Sequence, residues 1–403
     1  MKKKFIILII FFLNINVVSA LEINSTNYIV FNLDNNQIIF SNEPDAIIRK
    51  ASITKIMTTL VAIEQIDNLD ERVTITYEMI AGFREANAAL VGLRVGEVVT
   101  YRDLLYATFL ASGAETSRAL GILLAGSEAA FVEKMNDKAR ELGLYNTSYR
   151  NTTGLDAEGH VSTVREIAYL LKYAVENPLF KEIFLADYFV MSNGMTVHST
   201  MRHTARSLNK DLSFIIGGRT GFTNGAGRCL ASIAYDEVNS IRYLIVTVGA
   251  DRSIEASHHI RDSYAIYNYL FENFQNHLVF SQGDLILNID IKNSTESSRN
   301  FYFNKDFYHF YNNNFSNENV KIKFNGYELL TPRLSVGDVI GNVSVYYNDE
   351  LIHEFEIILE EEIEFSLWSF IKNNRVITII GLGCILMLTI ILRLNKKNKK
   401  TFR

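Results

Sequence analysis

Cysteine is nearly absent: only Cys229 and Cys384 occur in 403 residues, and the second lies inside an apolar run. Such a pair builds no disulfide framework, so stability has to come from packing. An excess of basic residues is missing too. Lys and Arg number 40 against 45 Asp and Glu, a net charge of −5 that excludes nucleic acid as a default partner. With 48% hydrophobic and 21% charged residues, the composition is not that of a disordered chain. Internal repeats, low-complexity linkers and clustered Cys/His spacings are also lacking. His258-His259 stands without an HExxH pattern and reads as surface histidines on a helix, so no metal or other cofactor is expected. Length is what the chain has in plenty, enough for two or three domains with a sizeable core.

Both ends carry targeting features. Lys2, Lys3 and Lys4 precede an unbroken apolar run from Phe5 to Leu13, and Val18-Ser19-Ala20 offers a small-residue cleavage site. Residues 1–20 are therefore expected to be a signal peptide, with the mature chain starting near Leu21. Near the other end, Val376 to Leu392 contains no charge and approaches the roughly 20 residues a helix needs to cross a hydrocarbon core. Lys372 and Arg375 flank it on one side; Arg393, Lys396, Lys397, Lys399 and Lys400 flank it on the other. The heavier positive flank predicts a single membrane helix at 376–392, a cytoplasmic basic tail at 393–403, and an extracytoplasmic remainder held at the membrane.

Between the ends the pattern changes once. Tyr28–Leu33 and Gln37–Phe40 are apolar runs around Asp34-Asn35-Asn36, a β-hairpin signature. From Ser52 to Ile66, residues Ile53, Ile56, Met57, Leu60, Val61 and Ile63 recur at helical spacing with almost no charge, which predicts a helix sunk in the core. Further helices are expected over 101–111, 115–124, 128–143 and 164–175. Strand-like runs follow at Cys229–Tyr235 and Arg242–Val248, after a Gly-rich stretch at 217–227. Helices enclosed between early and late strands imply an α+β domain over 21–278 whose sheet is assembled from both ends. Beyond about residue 280, short β-branched and aromatic runs replace helical periodicity, which predicts a separate all-β domain over 279–366.

The candidate nucleophile is Ser52. Lys55 lies three positions on, hence on the same helix face. Serine attacks only when a base removes its proton, and a lysine desolvated by apolar surroundings is neutral enough to serve. The spacing alone is weak, since it recurs at Ser207/Lys210 and Ser369/Lys372, and an N-cap serine with a snorkelling lysine would look the same. Only the first pair opens an apolar helix, where backbone N–H groups can stabilise an oxyanion. Two further constellations follow in order. Ser112-Gly113-Ala114 occupies the break between two helices, and Arg219-Thr220-Gly221 follows Gly217-Gly218.

With Ser52-Ile53-Thr54-Lys55 these resemble the three motifs of the penicillin-recognising serine acyltransferases, normally Ser-x-x-Lys, Ser-x-Asn and Lys-Thr-Gly. Thr153-Gly154-Leu155-Asp156, Gly92-Leu-Arg-Val-Gly96 and Gly217–Thr223 narrow the resemblance to the low-molecular-weight D-alanyl-D-alanine carboxypeptidases. Leu330-Thr-Pro332 through Gly341 looks like that family's C-terminal β domain. The resemblance implies a β-lactamase/transpeptidase-like α+β catalytic domain, an antiparallel sheet with helices. It implies that Ser52 attacks the penultimate D-Ala carbonyl, Lys55 accepts its proton and Ser112 relays a proton to the departing D-Ala. The oxyanion hole would be the backbone N–H groups of Ser52 and Phe222. Arg219, Thr220, Gly221 and Phe222 would bind substrate, with Thr220 on the terminal carboxylate and Arg219 adding positive charge beside it. The implied partners are peptidoglycan stem peptides ending in D-Ala-D-Ala, at the outer face of a bacterial cell membrane, with β-lactams as inhibitors.

Two positions depart from the motifs. Arg219 replaces Lys, keeping the charge but not the compact ammonium. Ala114 replaces Asn and loses an amide that would touch substrate and the motif lysine; Glu115 could stand in only in a shifted loop register. These departures motivate two other readings: a catalytically impaired wall-peptide or penicillin-binding protein and, less well suited to an anchored chain with an added β domain, a serine β-lactamase.

Overall fold

The computed structural model describes residues 21–251 and 257–398, so the signal peptide expected over 1–20 lies outside the described residues. The chain divides into two compact units between Glu272 and Asn273.

The first unit is built on a five-stranded antiparallel sheet. The expected hairpin is present as β1 (Asn27–Asn32) and β2 (Gln37–Asn42). Three long strands come from the far end of the unit: β3 (Ile215–Thr223), β4 (Gly227–Asp236) and β5 (Ile241–Ala250), in the order β2-β1-β5-β4-β3. Asn27 to Asn32 pair with Val248 to Tyr243, so the sheet closes across more than 200 residues of chain. Residues 217–223 of the Gly-rich stretch, read as the approach to a strand, are themselves strand, and 224–226 turn the chain into β4. Gly217 and Gly218 lie within β3 because side chains there would collide with Phe184 and Met201.

The buried helix begins differently from the expectation. Ala51–Thr54 form one tight 3-10 turn, and α1 runs from Lys55 to Ile63, with Ile56, Met57, Thr58 and Thr59 fully buried. An apolar helix accepted on all sides is the arrangement its sequence demands. Ala51 takes a φ of +46°, and Gly154, at φ +87°, lies flat against it. A Cβ on Gly154 would come within 1.9 Å of the Ala51 carbonyl oxygen. Gly154→Ala is therefore expected to cost about 2–3 kcal/mol from strain and overpacking together, read as a lowered denaturation midpoint.

The other expected helices are α2 (Tyr101–Phe109), α3 (Ala114–Ala125), α4 (Glu128–Glu141) and α5 (Val164–Ala174), followed by α6 (Thr200–Ser207) and α7 (His258–Asn273). Thr100 caps α2 by accepting from the Asp103 N–H at 3.1 Å, while the Asp103 carboxylate accepts from the Thr100 N–H at 2.8 Å. Cys229 is fully buried in β4, as a small core residue should be. The histidine pair needs correction. His259 is only 3% exposed, because α7 turns that face inward.

The second unit opens with β6 (Phe274–Phe280), which pairs with β9 (Phe307–Asn312). Two three-stranded sheets follow. One has the order β8-β7-β11, from β7 (Leu285–Ile291), β8 (Ser298–Tyr302) and β11 (Leu329–Leu330). The other has the order β10-β12-β13, from β10 (Val320–Gly326), β12 (Val339–Tyr347) and β13 (Glu350–Ile358). Ile289, Leu330, Ile340, Val343, Val345 and Leu359 form their shared core. A short helix α8 (Leu367–Asn373) precedes α9 (Arg375–Asn398), in which Arg375–Arg393 is long and apolar enough to cross a membrane.

Candidate active site

Three elements meet at Ser52. The 3-10 turn carries Ser52 and α1 starts with Lys55, whose Nζ donates to Ser52 Oγ at 3.2 Å and to the Thr153 carbonyl at 2.5 Å. The break between α2 and α3 carries Ser112 at φ +65°, a left-handed turn that aims its Oγ to donate to Ser52 Oγ at 3.0 Å. β3 is the outermost strand of its sheet, and Thr220 to Thr223 line the pocket beside the serine. Gly221 brings that strand close: a Cβ there would sit 3.0 Å from the Ser52 backbone nitrogen. The resulting cavity, about 350 Å³, is lined by Ser52, Lys55, Ser112, Ala114, Thr220, Phe222 and their neighbours.

Burial sets the electrostatics. Lys55 is 1% exposed, and desolvation, helped by the nearby Arg219 charge, drives its pKa well below the usual lysine value while Glu115 opposes the fall. A neutral amine one hydrogen bond from a serine hydroxyl can take its proton. Arg219 is fully buried and does not line the pocket. Its guanidinium donates to the Ser52 carbonyl at 3.0 Å, to the Phe109 carbonyl at 2.7 Å and to Ser112 Oγ at 2.5 Å. Burial lowers its pKa to about 9, which leaves it charged at neutral pH. The structure thus differs from a cation placed beside substrate: the planar fork of arginine reaches three acceptors behind the wall and acts by fixing Ser112. Thr220 and Phe222 do face the cavity, and the Thr220 hydroxyl pairs with that of Thr200 at 2.7 Å.

Glu115 does not replace the amide absent at Ala114. Its Oε1 accepts from the Val91 and Gly92 N–H groups at 2.7 and 2.8 Å, and the Ala114 N–H donates to the Ala89 carbonyl at 2.9 Å. Ala88, Ala89 and Ala114 line the cavity together with Asn87. Glu115 still acts on Lys55 at a distance. Glu115→Gln removes a charge that favours the ammonium, so the Lys55 pKa falls further and the acid limb of the pH–rate profile moves to lower pH.

Two carbonyls at the site carried no signal in the sequence, and two buried side chains support it from behind. The Thr153 and Phe109 carbonyls act through backbone. Lys50 is buried, donating to the Ser148 and Val161 carbonyls at 2.6 Å each, which pins the segment leading into Ser52. His160 Nδ1 accepts from the Arg150 N–H at 3.0 Å and its other ring nitrogen meets Thr54 Oγ1 at 2.8 Å, so it braces a loop, and burial keeps it neutral. Among the described residues no group of three or more His, Cys, Asp and Glu side chains is arranged to hold a metal ion.

A serine contacted by a desolvated lysine and by a second serine, set between a sheet edge and a buried helix, is the arrangement of a serine hydrolase that works through an acyl-enzyme. Comparison makes the class specific. A family model described as D-alanyl-D-alanine carboxypeptidase, peptidase S11, matches residues 14–252, over half of the chain, and one described as the C-terminal domain of penicillin-binding protein 5 matches residues 274–364. The chain belongs to the D-alanyl-D-alanine carboxypeptidase family and is a serine-type DD-carboxypeptidase. It is similar to the D-alanyl-D-alanine carboxypeptidase DacF of Bacillus subtilis, 26% identical over 274 residues that cover 68% of this chain and 69% of the relative. A D-alanyl-D-alanine endopeptidase of Escherichia coli is 31% identical over 211 residues, 52% of this chain and 66% of that protein. Among solved structures, penicillin-binding protein 5 of Haemophilus influenzae shares the fold at a TM-score of 0.63 and 22% identity, over 85% of this chain and 98% of that one.

Proposed function

We propose that this protein removes the terminal D-alanine from peptidoglycan stem peptides through an acyl-enzyme on Ser52. The contact of Lys55 Nζ and Ser112 Oγ with Ser52 Oγ, at 3.2 and 3.0 Å, carries the reading. Lys55 takes the Ser52 proton as the oxygen attacks the penultimate D-Ala carbonyl. The tetrahedral oxyanion is held by the backbone N–H groups of Ser52 and Phe222, donors of a kind whose individual loss typically costs about 10²–10³ in rate. Ser112, oriented by Arg219, gives its proton to the departing D-alanine amine and regains one from the Lys55 ammonium; the neutral Lys55 so restored then deprotonates a water that hydrolyses the ester, and the proton returns to Ser52. Thr220 receives the substrate's terminal carboxylate. β-Lactams acylate the same hydroxyl. Residues 376–392 anchor the enzyme, with the catalytic unit on the extracytoplasmic side of a bacterial cell membrane; the apolar stretch Arg375–Arg393 supports this. The test is release of free D-alanine from a D-Ala-D-Ala-terminated peptide by the purified chain, with intact-mass detection of a penicillin adduct on Ser52. A penicillin adduct without peptide turnover would favour an impaired binding protein, for which the missing Ala114 amide is the motive.

A further inference from the structure

We propose that the groove between β8 and β13 of the C-terminal unit is a docking site for an extended, basic segment of another polypeptide. Each of these strands is the outermost in its sheet, β8 beside β7 only and β13 beside β12 only, so each offers a row of backbone donors and acceptors outside any described ladder. Between them opens a cavity of about 830 Å³, larger than the one at Ser52. Unpaired strand edges are templates for strand addition, in which main-chain pairing supplies affinity and alternate side chains supply specificity. The five residues of β8 offer about 17 Å of such template.

The lining tells what kind of strand fits. Phe303 is 7% exposed, stacks on Phe280 with centroids 4.4 Å apart and meets Phe355 at 5.6 Å, giving an apolar floor for every second side chain. The walls are acidic: Glu296, Glu356, Glu360 and Glu361 line the cavity. Of its two cations, Arg299 and Lys305, the first is already committed, paired with Glu296 and donating to the Glu361 and Glu362 carbonyls at 2.7 and 3.0 Å, which leaves three glutamates against one lysine. The surrounding sequence is biased the same way, since residues 273–366 hold 15 acidic and 6 basic residues, a net charge of −9. Complementarity therefore selects a segment alternating apolar residues with lysine or arginine.

The test uses the full chain in detergent and fluorescent octapeptides read by anisotropy. An alternating valine–lysine peptide is expected to bind saturably. The valine–glutamate peptide, and a valine–lysine peptide with alternate backbone amides methylated, should each bind at least about tenfold more weakly. Combined Glu356→Gln, Glu360→Gln and Glu361→Gln substitution should weaken the lysine peptide by about tenfold or more while D-alanine release and the thermal unfolding curve both stay unchanged, which shows that each unit is folded. Equal binding of the methylated peptide, indifference to the three substitutions, no saturation by any peptide, or saturable binding of N-acetylglucosamine oligosaccharides in the groove would each overturn the proposal.

Discussion

Ser52→Ala is expected to abolish both penicillin adduct formation and D-alanine release, with turnover falling by about 10⁴-fold or more. The size of the loss follows from the pathway. Without the hydroxyl no ester forms, and what remains is the cavity's capacity to bind and polarise a carbonyl, which in serine hydrolases leaves only a residual rate. Folding should be unaffected: Ser52 is partly exposed, and in the contacts described its side chain receives hydrogen bonds from Lys55 and Ser112 without bracing another element. An unchanged melting temperature beside a missing mass adduct separates chemistry from structure. Retention of the adduct would place the nucleophile elsewhere and sink the mechanism.

The second large effect is expected at Arg219. Arg219→Leu removes three charge-assisted hydrogen bonds at once, leaves the Phe109 carbonyl short of a donor in a dry interior and leaves the Ser52 carbonyl with the Lys55 N–H alone. Ser112 loses the partner that orients it, and Lys55 loses a neighbouring positive charge. The second loss has a definite sign. The arginine charge depresses the Lys55 pKa, so its removal raises that pKa and moves the acid limb of the pH–rate profile to higher pH, opposite to Glu115→Gln. A fall in kcat of about 10²–10³ is expected, together with that shift. Arg219→Lys keeps a charge without the fork and should be intermediate. An Arg219→Leu enzyme with normal kcat and unmoved pH profile would show that the buried guanidinium is only a packing element.

Much of this candidate site is legible in residue order, because the residues the structure brings together lie in short local motifs. Ser52 and Lys55 are three apart, so the turn that holds one holds the other, and the positions of Ser112 and Thr220 follow from a helix break and a strand. The hairpin and the buried helix were equally legible, since apolar periodicity reports burial directly. Arg219 lies away from the cavity it is expected to serve, for a physical reason. Sequence shows that a charge is present, but only packing decides on which side of a wall the charge ends. The Thr153 and Phe109 carbonyls were invisible because every residue has one. His259 looked exposed because a polar residue late in the chain gives no hint of what a helix will be turned toward.

The alanines at 88, 89 and 114 bear on inhibitor chemistry. Where the motif's asparagine would stand, this cavity has an alanine, and Ala88, Ala89 and Asn87 line it as well, next to the outermost strand of the sheet. Potency against this enzyme should therefore rise with the carbon content of whatever part of a drug's acyl substituent covers these alanines, so compounds with hydrocarbon groups at that point are the ones to synthesise first.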